Sequence, residues 1–301
     1  MLTLAALQAP PRAVQIGHVT VVASPARQGM AVALAERAER PLTWPGLGRR
    51  VPPPFILVLL EDSAALARVS RGQAPGWGAG VAFPGARTIL LRADLPEIEQ
   101  TLRHELGHLI LRTTVRGRVP LWFDEGYAAW GSGELGRMEG LALNLAVASG
   151  KIPSFRELDG MLRGSASTAD LAYALAASAV AEIGRGPPPG GMERLLGRLA
   201  VGEDFGSALE AATGLSEERF EQVWRRSLRR QYSLITWLAA GGMWALIAFS
   251  LAGLLWYRRE RDRPRRAALD HGWVVPPETS SPAEDAPAPP GTPVDPGAPT
   301  Q

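Results

Sequence analysis

The sequence predicts an α+β fold: a small N-terminal sheet, a helical C-terminal part and one transmembrane helix. Three observations carry this. Short apolar runs bounded by Pro and Gly dominate the first third of the chain. Apolar residues then recur at helical spacing as far as residue 232. Residues 234–257 hold no charge at all.

Composition sets the outer bounds. The chain has 301 residues, enough for one or two domains, and is 46% hydrophobic, so it can bury a core. Lys plus Arg number 32 against 30 for Asp plus Glu. The basic residues are almost all Arg and are dispersed outside the last third, so no nucleic-acid face is indicated. With no Cys, disulfides and thiolate metal sites are excluded.

Residues 1–13 are apolar and end in small residues, like the tail of a signal peptide without its basic start. They read as a truncated signal segment or as a disordered terminus. Residues 18–24 read as a strand. Residues 26–40 read as a helix with Met30, Leu34 and Ala38 on one face. A loop follows around Pro41 and Pro45. After Pro52-Pro53-Pro54, residues 55–60 form a buried-strand candidate. Asp62 or Ser63 can cap a helix over 64–70. Residues 72–80 are a Gly-rich loop without the pattern of a phosphate loop. Residues 79–83 and 87–92, split by Pro84-Gly85, read as a hairpin or two adjacent strands.

Pro96-Glu97 starts the next helix, with acidic residues in its first turn. It carries His104-Glu105-Leu106-Gly107-His108. On a helix, positions i and i+4 lie one turn apart on one face, so both imidazoles point at the same spot. Glu105 sits beside that spot, free to act on a bound water. This is a zinc-peptidase arrangement of two ligands and a general base. Chance also produces the pattern. Here, however, two of the chain's four histidines fall in it, and Leu102, Leu106, Leu109 and Ile110 flank it at helical spacing. Ionisable groups buried in such surroundings need partners, which a metal supplies. Gly107 costs about 1 kcal/mol in a helix interior relative to Ala, which a close neighbouring element would explain.

A catalytic zinc needs three protein ligands and an open position. Residues 111–119 read as the helix end and a reversing turn. Pro120 then opens a helix with Trp122, Phe123, Ala129 and Trp130 on an apolar face. Two antiparallel helices can bring Glu125 opposite His104 and His108. The alternative is an exposed helix carboxylate.

His-Glu-x-x-His followed by Trp122-Phe123-Asp124-Glu125-Gly126 resembles the gluzincin metallopeptidases, the thermolysin- and aminopeptidase-like clan. More narrowly it resembles small bacterial families with a Pro-x-Trp-Phe-x-Glu-Gly motif. The likeness covers roughly residues 50–230. It implies a zincin-like domain over 14–232, with His104, His108 and Glu125 as Zn²⁺ ligands and Glu105 as general base. It also implies that substrate adds as a strand to a sheet edge, at 79–83 or 88–91, between which the sequence does not choose. Thermolysin-like enzymes carry an Asp one turn after the ligand Glu, to hold a ligand His. Ala129 stands there instead. Asp124 is a candidate substitute, but its angular position differs from the family one.

The remaining helices are expected at 138–148, 155–162, 169–183 (capped by Ser167 or Thr168), 192–199, 204–213 and 217–232. Tyr173 lies where related peptidases present a Tyr or His to the oxyanion. It reads either as that donor or as a packed helix tyrosine.

At about 1.5 Å per residue, the 24 residues 234–257 would span a hydrocarbon core of roughly 30 Å, with Trp256 and Tyr257 at an interface. Arginines follow at 258, 259, 261, 263, 265 and 266, which favours a cytoplasmic tail over 258–301 and an extracytoplasmic catalytic domain. Residues 275–301 are Pro-rich and read as disordered. The expected protein is a single-pass membrane-anchored zinc endopeptidase. Its partners would be a peptide or protein substrate and the lipid bilayer, with no nucleic acid. The rivals are a membrane-anchored binding or structural module of the same fold, and a membrane-anchored protein with no metal.

Overall fold

The computed structural model of the chain describes residues 10–133, 137–150, 152–232 and 243–271. The chain divides into two units, Met1–Gly242 and Met243–Gln301.

The first unit is a mixed α+β structure. Its strands are β1 (Arg12–Ile16), β2 (Val19–Ala23), β3 (Leu42–Trp44), β4 (Gly48–Arg50), β5 (Phe55–Leu60), β6 (Gly80–Phe83) and β7 (Thr88–Arg92). Helices α1 (Gln28–Ala38) and α2 (Ser63–Val69) intervene. The helical part comprises α3 (Ile98–Thr114), α4 (Leu121–Ser132), α5 (Arg137–Ala148), α6 (Phe155–Leu162), α7 (Ala166–Arg185), α8 (Gly191–Ala200), α9 (Phe205–Thr213) and α10 (Glu217–Gln231).

The five-stranded sheet has the order β1-β2-β5-β7-β6. The pairs β2–β5 and β5–β7 are parallel. The two outer strands run antiparallel to their neighbours. β5 alternates: Phe55, Leu57 and Leu59 are buried on the main core face, while Ile56 is 40% exposed. On the opposite face Val58 and Leu60 pack with Leu66 of α2 and Leu90 of β7. The Asp62 carboxylate caps α2 by accepting from Ala65 N–H at 2.7 Å.

Among the described residues β6 pairs only with β7, which places it at the edge of the sheet. β7, the other candidate, lies inside the sheet, with Ile89, Leu90 and Leu91 buried.

Several expectations are revised. Arg12 and Ala13 belong to β1, while residues 1–9 lie outside those described. The loop expected after α1 contains the β3–β4 hairpin, which buries Trp44 at 1% exposure. α7 starts three residues before Ala169, and its N-cap is Ser165. Asp159 of α6 accepts from Trp122 N–H at 2.8 Å, serving the start of α4, whose own N-cap Pro120 has no side-chain acceptor.

The transmembrane helix is a correction. Residues 234–242 of that segment lie outside those described. In the second unit, α11 (Met243–His271) is uncharged only as far as Tyr257, before Arg258 and Arg259. At about 1.5 Å per residue the described part of that stretch, Met243–Tyr257, covers roughly 22 Å of a core of about 30 Å. Among the described residues, no helix is long and apolar enough to cross a membrane. Among the described residues the α+β architecture carries no membrane-spanning helix, against the expected single-pass topology with an outward domain and an inward tail.

Candidate metal centre

α3 and α4 cross closely because both present small residues at the crossing. A Cβ on Gly107 would stand 2.8 Å from Ala128 Cα. Gly126 makes the same allowance on the other side of α4, where a Cβ would meet the Ala176 carbonyl of α7 at 2.5 Å. α4 is thus sandwiched between α3 and α7 with its backbone near both. Leu102, Leu106 and Leu109 of α3 are buried in the core beneath the motif. Trp122 stacks on Phe155 at 4.0 Å between ring centroids, which anchors the start of α4.

This crossing brings the three expected residues together. His104 Nε2 and His108 Nε2 stand 3.2 Å apart. Glu125 Oε2 lies 3.5 Å from the first and 3.4 Å from the second. Potential ligand atoms of His104, His108 and Glu125 fall within 4.8 Å of one another, close enough to hold one metal ion. Glu125 is therefore no exposed helix carboxylate.

His108 Nδ1 donates to Asp124 Oδ1 at 3.0 Å, which turns Nε2 toward the centre, where it faces His104 and Glu125. Asp124 Oδ2 accepts from Arg112 Nε at 2.9 Å and Nη2 at 2.6 Å. Asp124 is thus the carboxylate that holds a ligand candidate, from the position directly before Glu125 and not from one turn after it. Arg112, read from sequence only as part of a helix end, fixes that carboxylate. Its spacing of four residues from His108 was the available signal.

The electrostatics follow from burial and mutual contact. Burial alone would lower the His108 pKa, but the Glu125 and Asp124 carboxylates outweigh it and hold it well above the usual histidine value. Burial would raise the Glu125 carboxyl, yet His108 and His104 hold it far below the usual range. Asp124 is also lowered, since His108 and Arg112 overcome its burial. Glu105 goes the other way: burial raises it, and the two histidines only partly offset that. Its carboxylate also accepts from the Ala82 backbone N–H of β6. A Cβ on Gly80 would stand 3.1 Å from Glu105 Oε1, so the edge strand runs directly past the motif.

Tyr173 comes from α7. Its ring meets that of His104 edge-on, with centroids 5.8 Å apart. A cleft of about 180 Å³ opens here, lined by His104, Glu105 and Tyr173 and also by Trp77, Gly78 and Gly80. The loop holding Trp77 had no chemical assignment from sequence. A Trp within a Gly-rich loop just before an edge strand was the signal it carried.

The donor set is two imidazole nitrogens and one carboxylate oxygen, converging on one point with a hydrogen-bonded carboxylate behind one imidazole. That chemistry fits a borderline ion such as Zn²⁺ and does not fit Ca²⁺ or Mg²⁺, which take oxygen ligands.

A family model described as the peptidase MA superfamily matches residues 48–230, more than half of the chain. The match spans β4 through most of α10 and includes the whole candidate centre. It reaches the superfamily, while the narrower bacterial group remains a likeness of motif. No curated protein matches the chain as a relative.

Proposed function

The chain belongs to the peptidase MA superfamily, and on that premise we propose that it is a zinc-dependent endopeptidase. The observation that carries the reading is the convergence of His104, His108 and Glu125 on one point, with the Glu105 carboxylate beside them. These three side chains hold the Zn²⁺ ion. Bound there, zinc supplies Lewis-acid polarisation of the scissile carbonyl and eases loss of a proton from water.

The chain's own residues do the rest. The exposed edge of β6 pairs with an extended substrate backbone and lays it along the motif. Glu105 takes the proton of the attacking water as the new C–O bond forms. It returns a proton to the leaving amine as the C–N bond breaks. Its burial raises its proton affinity above that of an ordinary carboxylate, which suits both halves of this task. Tyr173, which borders the same cleft, donates a hydrogen bond to the developing oxyanion.

The test is zinc per chain in the purified protein, together with cleavage of a mixed peptide substrate. About one zinc per chain is expected, falling sharply in Glu125→Ala. Glu105→Gln is expected to keep the metal and lose cleavage. A folded, zinc-supplemented protein with no bound metal would sink the reading.

A further inference from the structure

The cleft beside the candidate centre has a chemistry of its own. Apart from His104 and Glu105, its lining among the described residues carries no ionisable side chain except Tyr173. Trp77 supplies the largest side chain of that lining. That ring is half-buried, yet it belongs to neither hydrophobic cluster of the fold. Among the described residues it stacks on no other ring. A large aromatic surface left out of the core and facing a cleft is a contact surface for a ligand.

The loop that carries Trp77 is held in place. Gly78 N–H donates to Pro75 O at 2.8 Å. Arg92 of β7 reaches across to Gly78 O with Nη1 at 3.3 Å, and its own N–H donates to Ala79 O at 3.0 Å. The Arg92 guanidinium is in turn fixed by both oxygens of Asp94, at 3.0 and 2.9 Å. The backbone that carries the indole is therefore held before any ligand arrives, which reduces the ordering cost of binding. Gly78 and Gly80 add backbone and no side chain, so a peptide can approach closely. A Cβ on Gly78 would meet Pro75 O at 3.1 Å.

We infer that this cleft is a subsite for an uncharged aromatic or large apolar side chain of the peptide, with Trp77 as its wall. The inference rests on the peptidase reading above. An aromatic or aliphatic side chain lies against the indole and displaces water from an apolar face. A charged side chain of either sign would lose its hydration against the indole, the Thr101 hydroxyl and the glycine backbone, and this holds whether position 105 carries a carboxylate or an amide. Both are disfavoured.

The test uses the full chain, zinc-loaded, carrying Glu105→Gln so that bound peptide stays intact. Fluorescence anisotropy measures binding of labelled Gly/Ala peptides that differ only in one central residue: Phe, Leu, Ala, Lys or Asp. The Phe and Leu peptides are expected to bind about tenfold or more tighter than the Lys and Asp peptides. Trp77→Ala is expected to weaken the Phe peptide about tenfold and leave the Ala peptide unchanged, while Trp77→Phe retains most of the preference. Equal affinity for all five peptides, no peptide binding, or an equal loss for every peptide in Trp77→Ala would each overturn the inference. Cleavage by the unsubstituted protein separates the two ideas. Selective binding without cleavage sinks the peptidase reading alone, and cleavage with no side-chain preference sinks the subsite alone.

Discussion

His108 Nδ1 and Asp124 Oδ1 stand 3.0 Å apart, so the second imidazole of the motif is oriented by the residue that directly precedes Glu125 in the chain. Arg112 holds the other oxygen of the same carboxylate. A hydrogen-bonded carboxylate behind a ligand imidazole fixes its tautomer and raises its basicity. Asp124→Asn is therefore expected to weaken zinc binding about tenfold to a hundredfold. Arg112→Ala is expected to weaken it in the same direction, and the double variant to be little worse than Asp124→Asn alone. Competition with a chromophoric chelator measures all three. Fully additive losses would mean that Arg112 does not act through Asp124.

Gly107 sits where α3 crosses α4, with room for no side chain. Gly107→Ala places a methyl 2.8 Å from Ala128 Cα, and backbone cannot give way as a flexible side chain would. The gain in helix propensity is about 1 kcal/mol. Overpacking of this kind costs about 1–3 kcal/mol. Net destabilisation is expected in thermal unfolding, with reduced zinc loading because α3 and α4 are pushed apart. A higher Tm would show that the crossing relaxes freely.

Metal and proton compete at His108. In the metal-free protein its raised pKa contributes stability below the unfolded histidine value of about 6.5, and that stability is lost as pH rises through the folded value. Glu125 works in the opposite sense. Its lowered pKa contributes stability above the unfolded value of about 4.3, lost as pH falls. The metal-free form is thus expected to be most stable near pH 5–6.5, between those two values. Zinc needs the neutral imidazole, so the rise in Tm on adding zinc is expected to grow from pH 6 to 8, and activity to disappear below about pH 6. Thermal unfolding with and without zinc across that range decides it. A zinc effect independent of pH would contradict the assignment of His108 as a ligand.

Tyr173→Phe separates two roles for that residue. As an oxyanion donor its loss lowers kcat about a hundredfold or more with little change in KM. As a packed tyrosine its loss lowers Tm and spares kcat. Steady-state kinetics and unfolding of the same preparation read both.

Much of the centre was legible because the pattern is local. The helical period alone places His104 and His108 on one face, and an apolar helix starting at Pro120 already put Glu125 within reach. The strands at β2, β5, β6 and β7 could be read from apolar runs and turn residues for the same reason. The short hairpin β3–β4 could not. Its strands are three residues each, too short for any periodicity, and it forms because Trp44 finds a buried place in the core.

The sequence by itself determined what depends on near neighbours along the chain: two imidazoles one helical turn apart, the carboxylate between them, and the small residue that lets another helix approach. Only the tertiary structure decided what depends on which elements meet. It made β6 the edge and β7 an interior strand, because pairing order is a property of the whole sheet. It gave Asp124 and not Ala129 the carboxylate position behind His108, because the crossing of α3 and α4 turns that side chain toward the imidazole. It also showed no membrane-spanning helix among the described residues. Counting uncharged residues measures composition, whereas crossing a bilayer requires one continuous helix of sufficient apolar length. Among the described residues no helix meets that requirement.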